Sequence, residues 1–145
     1  MEDLATDQQG HLQVEALDEA FKRDPSAPTI VLLQAGDINT GAFDQFEAVI
    51  PLAHKHGAWV HVDGAFGLWA AASPRYRHLV KGVEAADSWA TDGHKWLNVP
   101  FDCGYALVAE PDVLGSQRRP TGSAADAPGR RNHRPQRLPG HVKSN

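Results

Sequence analysis

A single cysteine, Cys103, in 145 residues leaves no partner for an intramolecular disulfide, and that usage fits a reducing compartment. No apolar run approaches the ~20 residues of a membrane-spanning helix, so a membrane partner is not expected. The first residues are acidic and polar and do not read as a secretory signal; the cytoplasm is the expected location. No internal repeat is present, which excludes solenoids and propellers. Positive charge is scarce over most of the chain. Residues 116–145 hold seven Lys/Arg and one Asp, leaving residues 1–115 with a net charge of −10 within a whole-chain value of −4. An acidic body argues against nucleic-acid binding. The whole chain is 41% hydrophobic and 22% charged, ordinary for a soluble globular protein, and long enough for one modest domain with a core.

Leu12, Ala16, Leu17, Ala20 and Phe21 recur at helical spacing and predict an amphipathic helix over 11–23. Asp24-Pro25-Ser26-Ala27-Pro28 reads as a turn. The β-branched run Thr29 to Leu33 is expected to be a strand buried on both faces. Residues 36–41 form a loop, and Asp44 with Glu47 three positions on reads as the N-cap of a helix. Phe46, Val49, Ile50 and Ala53 give that helix its apolar face, Pro51 is expected to bend it, and Gly57 stops it. Ala58 to Val62 reads as a strand that ends in Asp63. Residues 64–73 form a small-residue loop, and strands are expected at 88–91 and 104–109. Alternating strands and helices imply an α/β layer architecture, whose ligands sit outside the carboxyl ends of the strands.

After Leu114 the apolar pattern stops. Residues 116–145 concentrate Arg, Pro and Gly without aromatics, the composition of a solvated, disordered basic tail. The shift is abrupt enough to suggest a change of reading frame near Gly115.

The most specific stretch is Asp92-Gly93-His94-Lys95-Trp96-Leu97-Asn98, continuing to Phe101-Asp102-Cys103-Gly104. Lys95 follows a histidine and comes 32 positions after Asp63, which stands at another strand end. An amine and a carboxylate so placed are what a pyridoxal 5'-phosphate site requires. The amine forms a Schiff base with the aldehyde, and the acid keeps the pyridine nitrogen protonated. A lysine must lose its proton to act as a nucleophile, and Trp96 and Leu97 are expected to supply apolar cover that helps it do so. Ala65 is small enough to pack on a ring face. His94 is a candidate for binding the phosphate or moving a proton, Thr91 is a weaker phosphate candidate, and Asn39 and Thr40 are expected to line the pocket. Cys103 reads as a small buried side chain. Each has a structural alternative: a surface lysine, an aspartate capping the next segment, loop filler, a core histidine.

These runs resemble the group II pyridoxal-phosphate-dependent decarboxylases, which include the aromatic amino acid and glutamate decarboxylases. The matching stretches are Asn39-Thr40-Gly41-Ala42-Phe43-Asp44, then His56 through Gly67, then Ser88 through Gly104, within a likeness covering roughly residues 10–114. The resemblance implies part of the large domain of PLP fold type I (aspartate aminotransferase-like) over residues 1–115, a mostly parallel sheet with flanking helices. It also implies an amino-acid substrate, carboxy-lyase chemistry, and a homodimer with active sites at the subunit interface. By the family pattern Lys95 carries the cofactor, Asp63 pairs with the ring nitrogen and His94 lies by the phosphate. Asp37 stands where many members of the family are expected to have a neutral residue, and its charge is expected to disfavour a substrate carboxylate or the phosphate. The family's upstream phosphate loop and ring-stacking histidine, and its downstream catalytic tyrosine and small domain, have no counterpart in these 145 residues. Two alternatives therefore stand beside decarboxylation, besides another lyase or transaminase reaction on the same fold. One is an inactive fragment or an interaction partner of a full-length relative. The other is a metal-dependent hydrolase using His54, His56, His61, Asp63 and His94.

Overall fold

The structure, a computed structural model, describes residues 1–110; the basic tail expected at 116–145 lies outside the described residues. Strand β1 (Ile30–Gln34) runs parallel to β2 (Trp59–Asp63), which runs parallel to β3 (Ser88–Asp92). Strand β4 (Gly104–Val108) closes the sheet antiparallel to β3, giving the order β1-β2-β3-β4. Helix α1 (Val14–Arg23) precedes β1, α2 (Phe46–Lys55) links β1 to β2, and the one-turn α3 (Gly93–Trp96) follows β3. The predicted elements thus form in the predicted order.

Local chemistry accounts for the helices. In α1, Leu17 and Phe21 lie one turn apart and are buried, while Glu15 opens the helix and Lys22 and Arg23 close it, each suited to the dipole at its end. In α2, Phe46, Val49, Ile50 and Ala53 face the core, and Pro51 is carried inside the helix on the exposed side. Gly57, at φ +70°, ends it in the left-handed conformation that costs a glycine little, and its N–H caps the His54 carbonyl.

Two expectations change. Asp44 is not a helix cap. The residue is 8% exposed, and its carboxylate accepts the N–H of Leu12 at 2.8 Å and of Gln34 at 2.7 Å. It ties the segment before α1 to the end of β1, and α2 starts at Phe46 with Gln45 at the cap position and no side-chain cap. Strand β1 is not buried on both faces. Val31 and Leu33 point into the core with Val60 and Val62, whereas Ile30 and Leu32 are 66% and 61% exposed. The reason is geometric: α1, α2 and the turns carrying Ala70, Val80 and Val83 all pack on one side, so among the described residues the other side of the sheet is open.

Candidate active site

The carboxyl ends of β1, β2 and β3 are bound to one another by backbone hydrogen bonds. Ala35 N–H donates to the Asp63 carbonyl, and Gly64 N–H to the Ala90 carbonyl, each at 2.8 Å. The chain after Asp63 must then pass close to the end of β1. A Cβ on Gly67 would lie 2.4 Å from the Ala35 oxygen and 2.6 Å from the Phe43 ring, so only glycine fits there. Thr91, buried at the end of β3, donates its hydroxyl to the Gly64 carbonyl at 3.0 Å and pins the same corner.

Asp63 is therefore held on the rim of the sheet. One carboxylate oxygen accepts the Ala65 N–H at 3.0 Å, and the other makes no hydrogen bond among the described residues. Lys95 projects from α3, just beyond β3. Its Nζ lies 2.8 Å from the Asp92 carboxylate and 3.8 Å from the centre of the Phe66 ring. Phe66 sits three residues after Asp63, so it joins the loop after β2 to the lysine. The Lys95 ammonium holds the Asp92 carboxyl below the ordinary carboxylate range. Trp69 donates its indole N–H to the Asp92 carbonyl at 3.3 Å.

His94 is fixed from the far side. Its Nδ1 lies 3.0 Å from the Cys103 carbonyl oxygen and 3.2 Å from the Cys103 nitrogen, and the ring meets Phe101 edge-on at 4.8 Å. Its Nε2 lies 3.8 Å from the Asp92 carboxylate. Cys103 is half-buried rather than buried. Its Sγ lies 3.4 Å from the Tyr105 hydroxyl, which that contact pushes above the usual phenol range. Asn98, at φ +51°, ends α3 in the left-handed region that asparagine tolerates.

Asp63 and Ala65, at and just after the end of β2, and Thr91, His94 and Lys95, at and just after the end of β3, thus stand at neighbouring strand ends. Thr40 does not join them. Its hydroxyl donates to Asp37 at 3.0 Å, and it lines a surface hollow with His11, Ala42, Phe43 and Leu79. Asn39 is exposed in the same loop. The Asp37 carboxylate also accepts the N–H groups of Asn39 and Thr40, bonds that hold its pKa below the ordinary range. Its charge is spent folding its own loop. Trp96 and Leu97 are 49% and 43% exposed and do not cover Lys95; Phe66 does. The histidines weighed as metal ligands have separate partners. His54 pairs with Asp87, His56 stacks on Phe21, and His61 bonds Ser88. Among the described residues no three ligand side chains converge. Two members of the corner escaped the sequence reading, Asp92 and Phe66. Asp92 stands one helical turn before Lys95, a spacing that signals an ion pair; nothing local marks Phe66.

The mixed four-stranded sheet with its flanking helices defines a class, the α/β architecture of PLP fold type I. The family model described as the pyridoxal-dependent decarboxylase conserved domain matches residues 1–119, and the chain belongs to that family. Its cofactor is pyridoxal 5'-phosphate. Among its relatives, the aromatic-L-amino-acid decarboxylase of Drosophila lebanonensis is 40% identical over 111 residues, 74% of this chain and 28% of that protein. The enzyme of the same name from Bos taurus is 40% identical over 111 residues, 74% of this chain and 23% of its own length. Similar solved structures include mouse CSAD in apo form, with TM-score 0.73 and 29% identity over 85% of this chain and 27% of that one. Oryza sativa TDC with PLP and tryptamine gives TM-score 0.67 and 36% identity over 72% of this chain and 23% of that one. The chain spans about a quarter of the length of these relatives.

Proposed function

We propose that this chain supplies the lysine and the acid of a pyridoxal-phosphate-dependent amino-acid decarboxylase site. The observation that carries the reading is the corner itself. Asp63 ends β2, Lys95 follows the neighbouring parallel strand β3, and Phe66 bridges them. The donor set suits the cofactor, with an amine for its aldehyde carbon, a carboxylate oxygen that makes no hydrogen bond among the described residues for its ring nitrogen, and the small Ala65 two positions after that acid. When bound, the cofactor supplies an electron sink for the bond broken at the substrate Cα.

Within that reading Lys95 is the covalent anchor. Asp63 would hold the ring nitrogen and favour its protonated form, and the small side chain of Ala65 would leave room for the ring. His94, its Nδ1 engaged by the Cys103 backbone, offers Nε2 to the phosphate or to a proton in transit. Thr91 serves by pinning the rim, because its hydroxyl is committed to Gly64. Thr40 has the least support, since Asp37 holds its hydroxyl. The substrate is an amino acid, and the single half-buried cysteine supports a cytoplasmic setting. The domain division belongs to the same proposal, with residues 1–115 as part of the large domain followed by a basic tail.

A second reading has its own observation. The open face exposes Ile30 and Leu32, and the chain spans about a quarter of its relatives. Both favour a chain that needs further polypeptide, such as the partner of a homodimer, before it turns substrate over. Incubation with the cofactor, borohydride reduction and peptide mapping test the first reading. Label is expected on Lys95 and absent from Lys95→Ala. Asp63→Asn is expected to retain cofactor about 100-fold less well, ~3 kcal/mol for an acid removed from a charged partner. Label on any lysine other than Lys95 instead would overturn the assignment. Release of CO2 from an amino acid by the chain alone would overturn the second reading.

A further inference from the structure

Among the described residues β1 is an edge of the sheet. Trp59 N–H donates to the Thr29 carbonyl at 3.0 Å and Ala35 N–H to the Asp63 carbonyl at 2.8 Å, which fixes the phase of the ladder between β1 and β2. Val31 and Leu33 therefore turn their N–H and C=O groups toward β2, while Ile30, Leu32 and Gln34 turn theirs outward. Gln34 is already engaged. Its N–H donates to the Asp44 carboxylate at 2.7 Å, and its carbonyl accepts the Asp44 N–H at 3.0 Å. At the other end Pro28, two positions before Ile30, has no N–H to offer. The outward backbone groups of Ile30 and Leu32 meet no other protein group among the described residues. The same two residues are 66% and 61% exposed.

An aliphatic edge of this kind is commonly guarded by a lysine or another charge that repels a second strand. Residues 25–36 carry no charged side chain. We infer that this edge binds the same edge of a second copy of the chain, β1 antiparallel to β1 about a two-fold axis at Val31. In that register Ile30 stands opposite Leu32 of the other copy, and each such pair exchanges both of its backbone hydrogen bonds. The next pair outward sets Pro28, which lacks a donor, against Gln34, which Asp44 already holds. The ladder ends where the free groups end, so the open window is complementary to itself. The pairing also closes, because a two-fold contact uses up both edges and joins the two sheets into one. Ile30 and Leu32 become cross-strand neighbours on the open face.

Size and charge set the strength of this contact. Two five-residue strands bury far less than the ~1,200 Å² of a standard stable interface, so the dimer is weak and depends on concentration. Residues 1–115 carry a net charge of −10, so two such bodies repel at low salt. The uncharged edges meet more readily once salt screens that repulsion. Attraction between the acidic residues of one copy and the basic residues 116–145 of another would show the opposite dependence. The contact is a property of the β1 edge and does not rest on the cofactor reading.

Sedimentation of the full chain from about 10 µM to about 1 mM, at low and high salt, tests this together with amide hydrogen exchange read by NMR. The mass is expected to rise toward that of a dimer, further at high salt. The Ile30 and Leu32 amides should exchange about tenfold more slowly at the top of the range, as free edges fall to about a tenth of the molecules. Leu32→Pro removes an outward N–H that β1 does not use in its own sheet, and is expected to weaken association at least about tenfold. Leu32→Thr keeps that N–H and should stay within about threefold of wild type. A monomer mass throughout would overturn the proposal, as would association that weakens with salt or that Leu32→Pro leaves unchanged. So would a dimer in which the Ile30 and Leu32 amides exchange as fast as in the dilute chain, a comparison that needs no variant to fold.

Discussion

Replacing Asp44 by alanine tests how the N-terminal segment is fastened to the sheet. The carboxylate accepts two backbone N–H groups, from Leu12 at 2.8 Å and Gln34 at 2.7 Å, in a residue that is 8% exposed. A hydrogen bond to a charged group contributes about 1.5–3 kcal/mol, and an unpaired buried N–H carries a comparable penalty. Leu12 is itself buried, so its amide has little access to water, while the Gln34 amide is only part-buried and counts at the lower end. The expected loss is about 3–5 kcal/mol, a large fraction of the ~5–15 kcal/mol typical of a domain. Asp44→Asn keeps one acceptor oxygen but turns an NH2 toward the second donor, and is expected to cost about half as much. Urea unfolding followed by the fluorescence of the four tryptophans measures both variants. Faster hydrogen exchange at the Leu12 amide should accompany the loss. A change under about 0.5 kcal/mol in Asp44→Ala would refute the reasoning, since it would mean that neither amide depends on this acid.

Other consequences are equally open to measurement. Gly67→Ala sets a Cβ 2.4 Å from the Ala35 oxygen, so the loop after β2 must shift. An expected cost of about 1–3 kcal/mol in urea unfolding, with weaker cofactor capture, would show that the close approach matters. Asp7 is held at about 2, chiefly by the hydrogen bond from the His11 side chain. A carboxyl lowered on folding adds stability that is complete above its unfolded value of 3.8 and is lost as pH falls toward 2. Wild type and Asp7→Asn should therefore differ above about pH 4 and converge below it; titration of Asp7 by carboxyl NMR at an ordinary value would contradict this.

Much of the architecture could be read from the chain because its signals are local. The i, i+4 spacing of Leu17 and Phe21 and the β-branched run before Gln34 declare their elements over a few residues. Asp63 and Lys95 were placed at strand ends by the same means, since a strand must stop where its apolar alternation stops. The errors share a physical origin. Asp44 has a local signature identical to a cap, and only the return of Leu12 across 32 positions shows that it binds elsewhere. Trp96 and Leu97 are apolar neighbours of Lys95 in sequence, yet a single turn of helix points them outward. Thr40 is a separate case: Asp37, three residues before it, accepts its hydroxyl, so its proposed part in the cofactor site has the least support.

By itself, then, the order of residues determined which elements form, in what succession, and which acid and amine stand at the ends of adjacent strands, because backbone preference and apolar period act over neighbouring positions. Tertiary structure alone decided which face of the sheet is covered, that Phe66 closes on Lys95, and that Asp44 joins two distant amides. Those outcomes depend on contacts between segments far apart in the chain, and no short window of sequence contains both partners.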